Sequence, residues 1–162
     1  MAEGRFAFVG KFSSSTNDEV PQHTPGQEVE QNGSVYKYVQ FDNGAGNVAA
    51  AAGKLAYWKT IDTVVTSDNT DAVQSTNMGA GFFTYAATDQ YYTWIQIKGA
   101  SDNDVTTAAN GAVGQWLVNS STTDGSCGVV AVGTAPTHQV LGRITSRTSA
   151  SAAGAFIDVQ RV

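Results

Sequence analysis

Past its first thirty residues the chain runs in short apolar stretches, each closed by a cluster of Gly, Asn, Asp or Ser. That is the pattern of strands joined by tight turns. Val35-Tyr36-Lys37-Tyr38-Val39-Gln40-Phe41 is β-branched and aromatic and ends at Asp42-Asn43-Gly44. Thr60 to Thr66 carries Ile61, Val64 and Val65 and ends at Ser67-Asp68-Asn69. Phe82 to Tyr85 and Tyr91 to Lys98 flank a short Ala-Thr-Asp-Gln link, which predicts a hairpin. In its second arm Thr93, Ile95 and Ile97 alternate with Trp94, Gln96 and Lys98. The first set reads as a core face and the second as an amphipathic face with an aromatic anchor, a candidate interface.

Four more strands are predicted at Val113 to Val118, Gly128 to Val132, Gln139 to Thr145 and Ala155 to Val162. The last alternates cleanly, Ile157 and Val159 against Asp158 and Gln160. About eight short strands at this spacing predict an all-β domain, a sandwich or a small barrel. Asn47 to Tyr57, with alanines at 49 to 52, is the one helix candidate, and Gly53 interrupts it. A short helix and an irregular link both fit.

Met1 to Gln31 differs from the rest. Ser13-Ser14-Ser15-Thr16-Asn17-Asp18-Glu19 is a polar run followed by Pro21 and Pro25, with no strand or helix period. Phe6, Phe8, Val9 and Phe12 punctuate it. It reads as an extended arm, either disordered alone or ordering on a neighbour, with the β domain spanning residues 32–162.

Composition narrows the function classes. Only 14% of residues are charged, well under the roughly 25% of ordinary domains. A surface of Thr, Ser, Ala, Asn, Gln and Gly can be covered by another protein with little charge desolvation. The net charge of −5 and the scatter of nine basic residues from Arg5 to Arg161 argue against direct nucleic-acid binding, which needs clustered cations. No apolar run has signal-peptide or membrane-span length, so a soluble chain made in the cytoplasm, with no membrane partner, is expected. The single Cys127 cannot form an internal disulfide.

Few residues invite catalysis. Gly125-Ser126-Cys127-Gly128 has the G-x-C-G pattern found around the nucleophile of chymotrypsin-like viral cysteine proteases, with His23 upstream as a base. However, His23 lies between two prolines in the arm, and a small buried cysteine at a turn is the simpler reading. Two histidines, His23 and His138, and one cysteine cannot assemble a standard zinc site. Asp68-Asn69-Thr70-Asp71 and Asp102-Asn103-Asp104 cluster oxygen ligands for calcium, yet neither continues as an EF-hand, and turns favour the same residues. Gly46 to Leu55 fails as a P-loop: six residues separate its glycines, and Leu55 replaces the Ser or Thr. Neither an enzyme nor a cofactor is expected.

One series of segments carries a resemblance. It runs from Pro25-Gly26-Gln27-Glu28-Val29 through Asn32-Gly33-Ser34-Val35-Tyr36-Lys37-Tyr38-Val39 to Tyr92-Thr93-Trp94-Ile95-Gln96-Ile97-Lys98-Gly99. It continues with Ala112-Val113-Gly114-Gln115-Trp116-Leu117, Val140-Leu141-Gly142-Arg143-Ile144 and Gly154-Ala155-Phe156-Ile157-Asp158-Val159. In order and spacing this resembles the small head decoration (cement) proteins of tailed bacteriophages and related phage structural proteins. The resemblance implies a β-barrel or β-tulip-like domain on the outer surface of the head. There it would bind the major capsid protein, often as a homotrimer, and stabilise the lattice. It makes Phe6, Phe8, Val9, Phe12 and Val20 a capsid-binding arm, and brings no catalytic residues with it. The competing expectation is a carbohydrate- or receptor-binding module of a phage fibre or tail, with a solvent-facing cluster of Tyr and Trp beside Asp or Asn; it fails if Trp58, Trp94 and Trp116 are all inaccessible.

Overall fold

The computed structural model describes residues 13–72, 78–119 and 122–159. Among them every regular element is a strand: β1 (Glu28–Gln31), β2 (Ser34–Phe41), β3 (Leu55–Thr60), β4 (Val64–Thr66), β5 (Gly79–Phe83), β6 (Tyr92–Ala100), β7 (Val105–Thr106), β8 (Trp116–Asn119), β9 (Cys127–Val130), β10 (Val140–Arg147) and β11 (Ala152–Asp158). The domain is all-β, as its alternating pattern predicts. No helix among the described residues is long and apolar enough to cross a membrane.

The strands pair in the order β1-β2-β4-β3-β5-β6-β11-β10-β8-β9, with β7 on β11, and a further β2–β6 pairing closes β2, β4, β3, β5 and β6 into a five-stranded barrel. Every pairing is antiparallel except β2 with β4. β6 is the hinge of the architecture. Its first residues pair with β2 across Tyr92 to Lys98, and its last, Lys98 to Ala100, pair with β11. From there an open sheet, β11-β10-β8-β9, leaves the barrel.

Side-chain parity sorts the apolar residues into three clusters. On β3, Ala56 and Trp58 point into the barrel with Val39, Phe41, Val65, Phe83 and Ile95. Leu55 and Tyr57 point the other way, onto Leu117, Leu141, Ile144 and Ile157 of the open sheet. Adjacent Phe82 and Phe83 split between the same two cores. The opposite wall, from β2 and β6, places Tyr36, Tyr38 and Trp94 in a third cluster. A strand buried on both faces needs this kind of continuous apolar run.

Several expectations are corrected. Asn47 to Tyr57 is not a helix: Asn47 and Gly53 both have positive φ, and the residues from Leu55 form β3. Gly53 is required where it stands, because a Cβ there would run into the Asp104 carbonyl oxygen. The strand expected over Thr60 to Thr66 is a tight β3–β4 hairpin, with Ile61 exposed at its turn. Of the hairpins, β5–β6 forms as predicted. The boundary placed after Gln31 falls inside another hairpin, since β1 pairs with β2 across an Asn32-Gly33 turn in which both residues have positive φ.

Candidate functional site

The described part of the arm is a strap laid across the β2/β6 wall. Asp18 and Tyr92 exchange backbone hydrogen bonds of 2.8 Å. The Thr84 hydroxyl donates to the Ser14 carbonyl at 2.6 Å, and the Thr93 hydroxyl donates to that of Thr16 at 2.9 Å. The Tyr38 hydroxyl donates to the Asp18 carboxylate at 2.6 Å and accepts from the Gln22 N–H at 3.2 Å. The His23 ring closes the stack, 5.1 Å from Tyr38 and 5.2 Å from Trp94. Burial, then the Asp18 carboxylate, holds the Tyr38 hydroxyl well above the usual phenol range.

This strap overturns part of the candidate interface. Trp94 is fully buried and Gln96 nearly so, leaving only Lys98 of the three exposed. Gln96 is a structural hub: its amide donates to Ser34, Lys98 and Ala100, and its oxygen accepts from the Asp102 N–H. The alternation along β6 was read correctly, but the face taken to be free is covered, at Trp94 by His23 of the arm and at Gln96 by Ser34 and the turn at Ala100 to Asp102. Of the arm residues, Val20 is 65% exposed. Phe6, Phe8, Val9 and Phe12 lie outside the described residues.

Both acidic turns are occupied by the protein's own donors. Asp68 is buried, and its carboxylate accepts from the Gly46 N–H at 2.8 Å, the Thr70 N–H at 2.9 Å and the Thr70 hydroxyl at 2.6 Å. Burial pushes its pKa up, but these hydrogen bonds outweigh burial and hold it below the usual carboxylate range. Glycine at 46 is what lets the loop close on it, since a Cβ there would lie 2.8 Å from a carboxylate oxygen. Asp102 accepts from the Tyr36 hydroxyl at 2.8 Å; burial and this carboxylate push the phenol up to about 12. Lys59 bridges Asp71 at 2.6 Å and Asp42 at 2.9 Å. Among the described residues no three His, Cys, Asp or Glu converge as a metal-ligand set.

The nucleophile candidate finds no supporting geometry. Cys127 is fully buried among Leu55, Tyr57 and Leu117, and burial pushes its thiol far above the usual range. His23 belongs to the strap and packs on a different cluster. His138 is exposed and bonds its neighbour Thr137. A cleft of about 160 Å³ between the β3–β4 turn and the start of β5 is lined by Lys37, Trp58, Asp62, Met78 and Gln139 among others. Its polar groups are engaged: Lys37 donates to Asp62 at 2.6 Å and pairs with Glu28 at 3.3 Å. The Gln139 amide clasps both backbone groups of Gly79.

Apart from single exposed residues such as Val20, Ile61 and Tyr85, exposed apolar side chains among the described residues gather at the outer face of the open sheet. Strand register sets Val130, Trp116, Arg143, Phe156 and Ala100 in one row across β9, β8, β10, β11 and β6. Arg143 stacks on Trp116 at 5.2 Å and donates to the Gly114 carbonyl at 2.7 Å. A Cβ on Gly114 would lie 3.7 Å from both Arg143 and Val132, so Val132 borders the same patch. Val113, Val132 and Phe156 are 63%, 62% and 48% exposed. Trp116 is half-buried under Arg143, whereas Trp58 and Trp94 are buried in two other clusters. The three tryptophans therefore form no shared stacking platform. Phe156 was not singled out from sequence, although its parity with Asp158 and Gln160, opposite Ile157 and Val159, already marked it as outward-facing. Comparison with known proteins finds no family model that matches the chain and no curated protein similar to it.

Proposed function

We propose that this chain is a structural protein-binding module that decorates the outer surface of a bacteriophage head, without a catalytic step. The observation that carries the binding role is the bare row of Trp116, Arg143 and Phe156 with Val113 and Val132 beside it. Exposed apolar groups gathered around a single stacked arginine match the composition of interface cores. Next to Phe156 and Ala100 on this face the following outward pair, Asp158 and Lys98, carries opposite charges, so covering the row buries no net charge there. The choice of partner, the major capsid protein, rests on the resemblance of residues 25 to 162 to head decoration proteins. On that reading the chain is made in the host cytoplasm, joins the expanded head as a homotrimer and needs no cofactor. Weak contacts repeated over the lattice supply avidity.

The test is sedimentation of the purified chain with expanded, undecorated heads of the parent phage. Binding that saturates at a fixed ratio to capsid subunits, and that Phe156→Ser abolishes while the variant stays folded, supports the reading. A folded wild-type chain that stays in the supernatant at all ratios rejects it.

A further inference from the structure

The apolar row on the open sheet carries a charge at its centre, and that charge is held in one orientation. Register sets Arg143 between Trp116 of β8 and Phe156 of β11. Its guanidinium lies over the Trp116 ring at 5.2 Å, and its Nε–H donates to the Gly114 carbonyl at 2.7 Å. The turn that supplies this carbonyl is itself fixed. Its Gly114 N–H donates to the Ile144 carbonyl at 2.9 Å, and the Ile144 N–H donates back to the Gln115 carbonyl at 3.0 Å. The Gln115 side chain closes the turn by accepting from the Ala112 N–H at 2.7 Å. Gly114 has a φ of +89°, a conformation that favours glycine.

With Nε committed, the guanidinium keeps Nη1 and Nη2, a planar pair of donors spaced to meet the two oxygens of one carboxylate. Among the described residues no carboxylate lies within ion-pair distance of Arg143, since the ion pairs there belong to Lys37 and Lys59. Asp158, on the same face, stands opposite Lys98. Val113, Val132 and Phe156 are exposed around the arginine. A partner that covers them also strips water from the guanidinium, and a buried charge left without a counter-ion opposes the contact. The partner must therefore bring the anion. A phosphate-rich surface is a poor match, because it calls for clustered cations and this chain has a net charge of −5.

We propose that the outer face recognises a protein surface presenting a carboxylate among apolar side chains, an Asp or Glu that Arg143 meets end-on through Nη1 and Nη2. The inference rests on the decoration reading and sharpens it: the docking point on the major capsid protein is an acidic side chain with apolar neighbours. The indole stack and the Gly114 carbonyl hold the fork in place before the partner arrives, so little side-chain freedom is lost on docking.

The test is sedimentation with expanded, undecorated heads of the parent phage. The heads are used untreated and after carbodiimide and ethanolamine have turned their surface carboxylates into neutral amides. The wild-type chain is compared with Arg143→Lys and Arg143→Met, both at an exposed position, with melts to confirm that each is folded. Both variants should bind untreated heads at least about tenfold more weakly. Lysine is included because an ammonium cannot make the two parallel bonds. On amidated heads the wild type should fall to the level of Arg143→Met, whose own affinity is unchanged. Either variant matching the wild type on untreated heads overturns this inference and leaves the decoration reading standing. So does amidation that weakens the wild type and Arg143→Met by the same factor. A folded wild-type chain that binds no untreated head rejects the decoration reading, and this inference with it.

Discussion

Two aromatic faces of this molecule invite comparison. The β2/β6 wall presents Tyr36, Tyr38 and Trp94, and the open sheet presents Trp116 and Phe156. Both lie on strands whose other face is core, and both look alike in sequence. The first is covered by the chain's own strap, with a carboxylate capping Tyr38 and a histidine ring across Trp94. The second has, among the described residues, Arg143 over Trp116, and Phe156 is half exposed there. An aromatic face completed internally contributes to stability. One left incomplete contributes to binding, because its burial is deferred until a partner arrives.

The comparison breaks most visibly if truncations on the two faces cost the same. Trp94→Ala should lower the unfolding free energy by about 3–5 kcal/mol, the range for emptying a fully buried aromatic site. Chemical denaturation measures it. A loss below about 1 kcal/mol would mean the site collapses or fills with water, and the strap is no true cover.

Below that in size comes Asp68, which ties the Gly44–Asn47 loop to the end of β4. Asp68→Asn sets an amide N–H₂ against donors that now meet a carboxylate, and should cost about 2–3 kcal/mol at neutral pH. The pH dependence follows from the direction of the shift. Asp42 and Asp68 are both held below the usual carboxylate value. Their contribution is therefore present above roughly pH 4 and is lost as pH falls through the lower folded values. Lys59 is shifted the opposite way, upward, by Asp71 and then Asp42. Its share is present below its unfolded value and lost only as strongly alkaline pH passes the folded one. Wild-type stability should thus be level from pH 6 to 8 and fall below about pH 4. A smaller acid-side fall in Asp68→Asn, by denaturation at each pH, checks the assignment.

How much of this was legible follows from which interactions are local. Strand parity is local, and it correctly separated Ile157 from Asp158 and Thr93 from Trp94. The Asn32-Gly33 turn signal was equally plain, yet the strand before it was assigned to the arm because Glu28-Val29-Glu30-Gln31 holds a single apolar residue. A charged edge strand of that kind leaves almost no hydrophobic period to detect. The β3 error has the reverse cause. Leu55-Ala56-Tyr57-Trp58 is buried on both faces, so it lacks alternation, and the preceding alanines suggested helix. What covers Trp94 could not be read at all. The covering residues lie more than seventy positions away, in polar sequence that docks through backbone bonds at Tyr92 and side-chain hydrogen bonds at Tyr38, Thr84 and Thr93.

A smaller effect sharpens the strap's side of the comparison. Tyr38→Phe deletes the hydrogen bond to Asp18 and the acceptor for the Gln22 N–H, while the ring stays in place. A destabilisation of about 1–2 kcal/mol is expected. The more telling readout is local. Glu19 sits one residue beyond Asp18, so a Glu-specific protease should cut there several-fold faster in the variant than in the wild type. Unchanged cleavage would show that the Asp18–Tyr92 backbone bridge holds the strap by itself.

The smallest stability effect belongs to the opposite face. Phe156 points away from the core between Gly154 and Asp158, its neighbours Ala155 and Ile157 both buried beneath the sheet. Phe156→Ser should change the unfolding free energy by no more than about 0.5 kcal/mol, because little apolar area is recovered in the isolated chain. Its effect on association should be disproportionate, since a half-exposed phenylalanine beside a stacked Trp–Arg pair is the kind of residue that dominates a contact. Parallel melts and head-sedimentation assays of Trp94→Phe and Phe156→Ser would separate the two faces. The first should lower stability and leave binding intact, and the second should do the reverse. Destabilisation by Phe156→Ser comparable to that of a core truncation would place the residue inside a packed surface. The contrast between a completed and a waiting aromatic face would then fall.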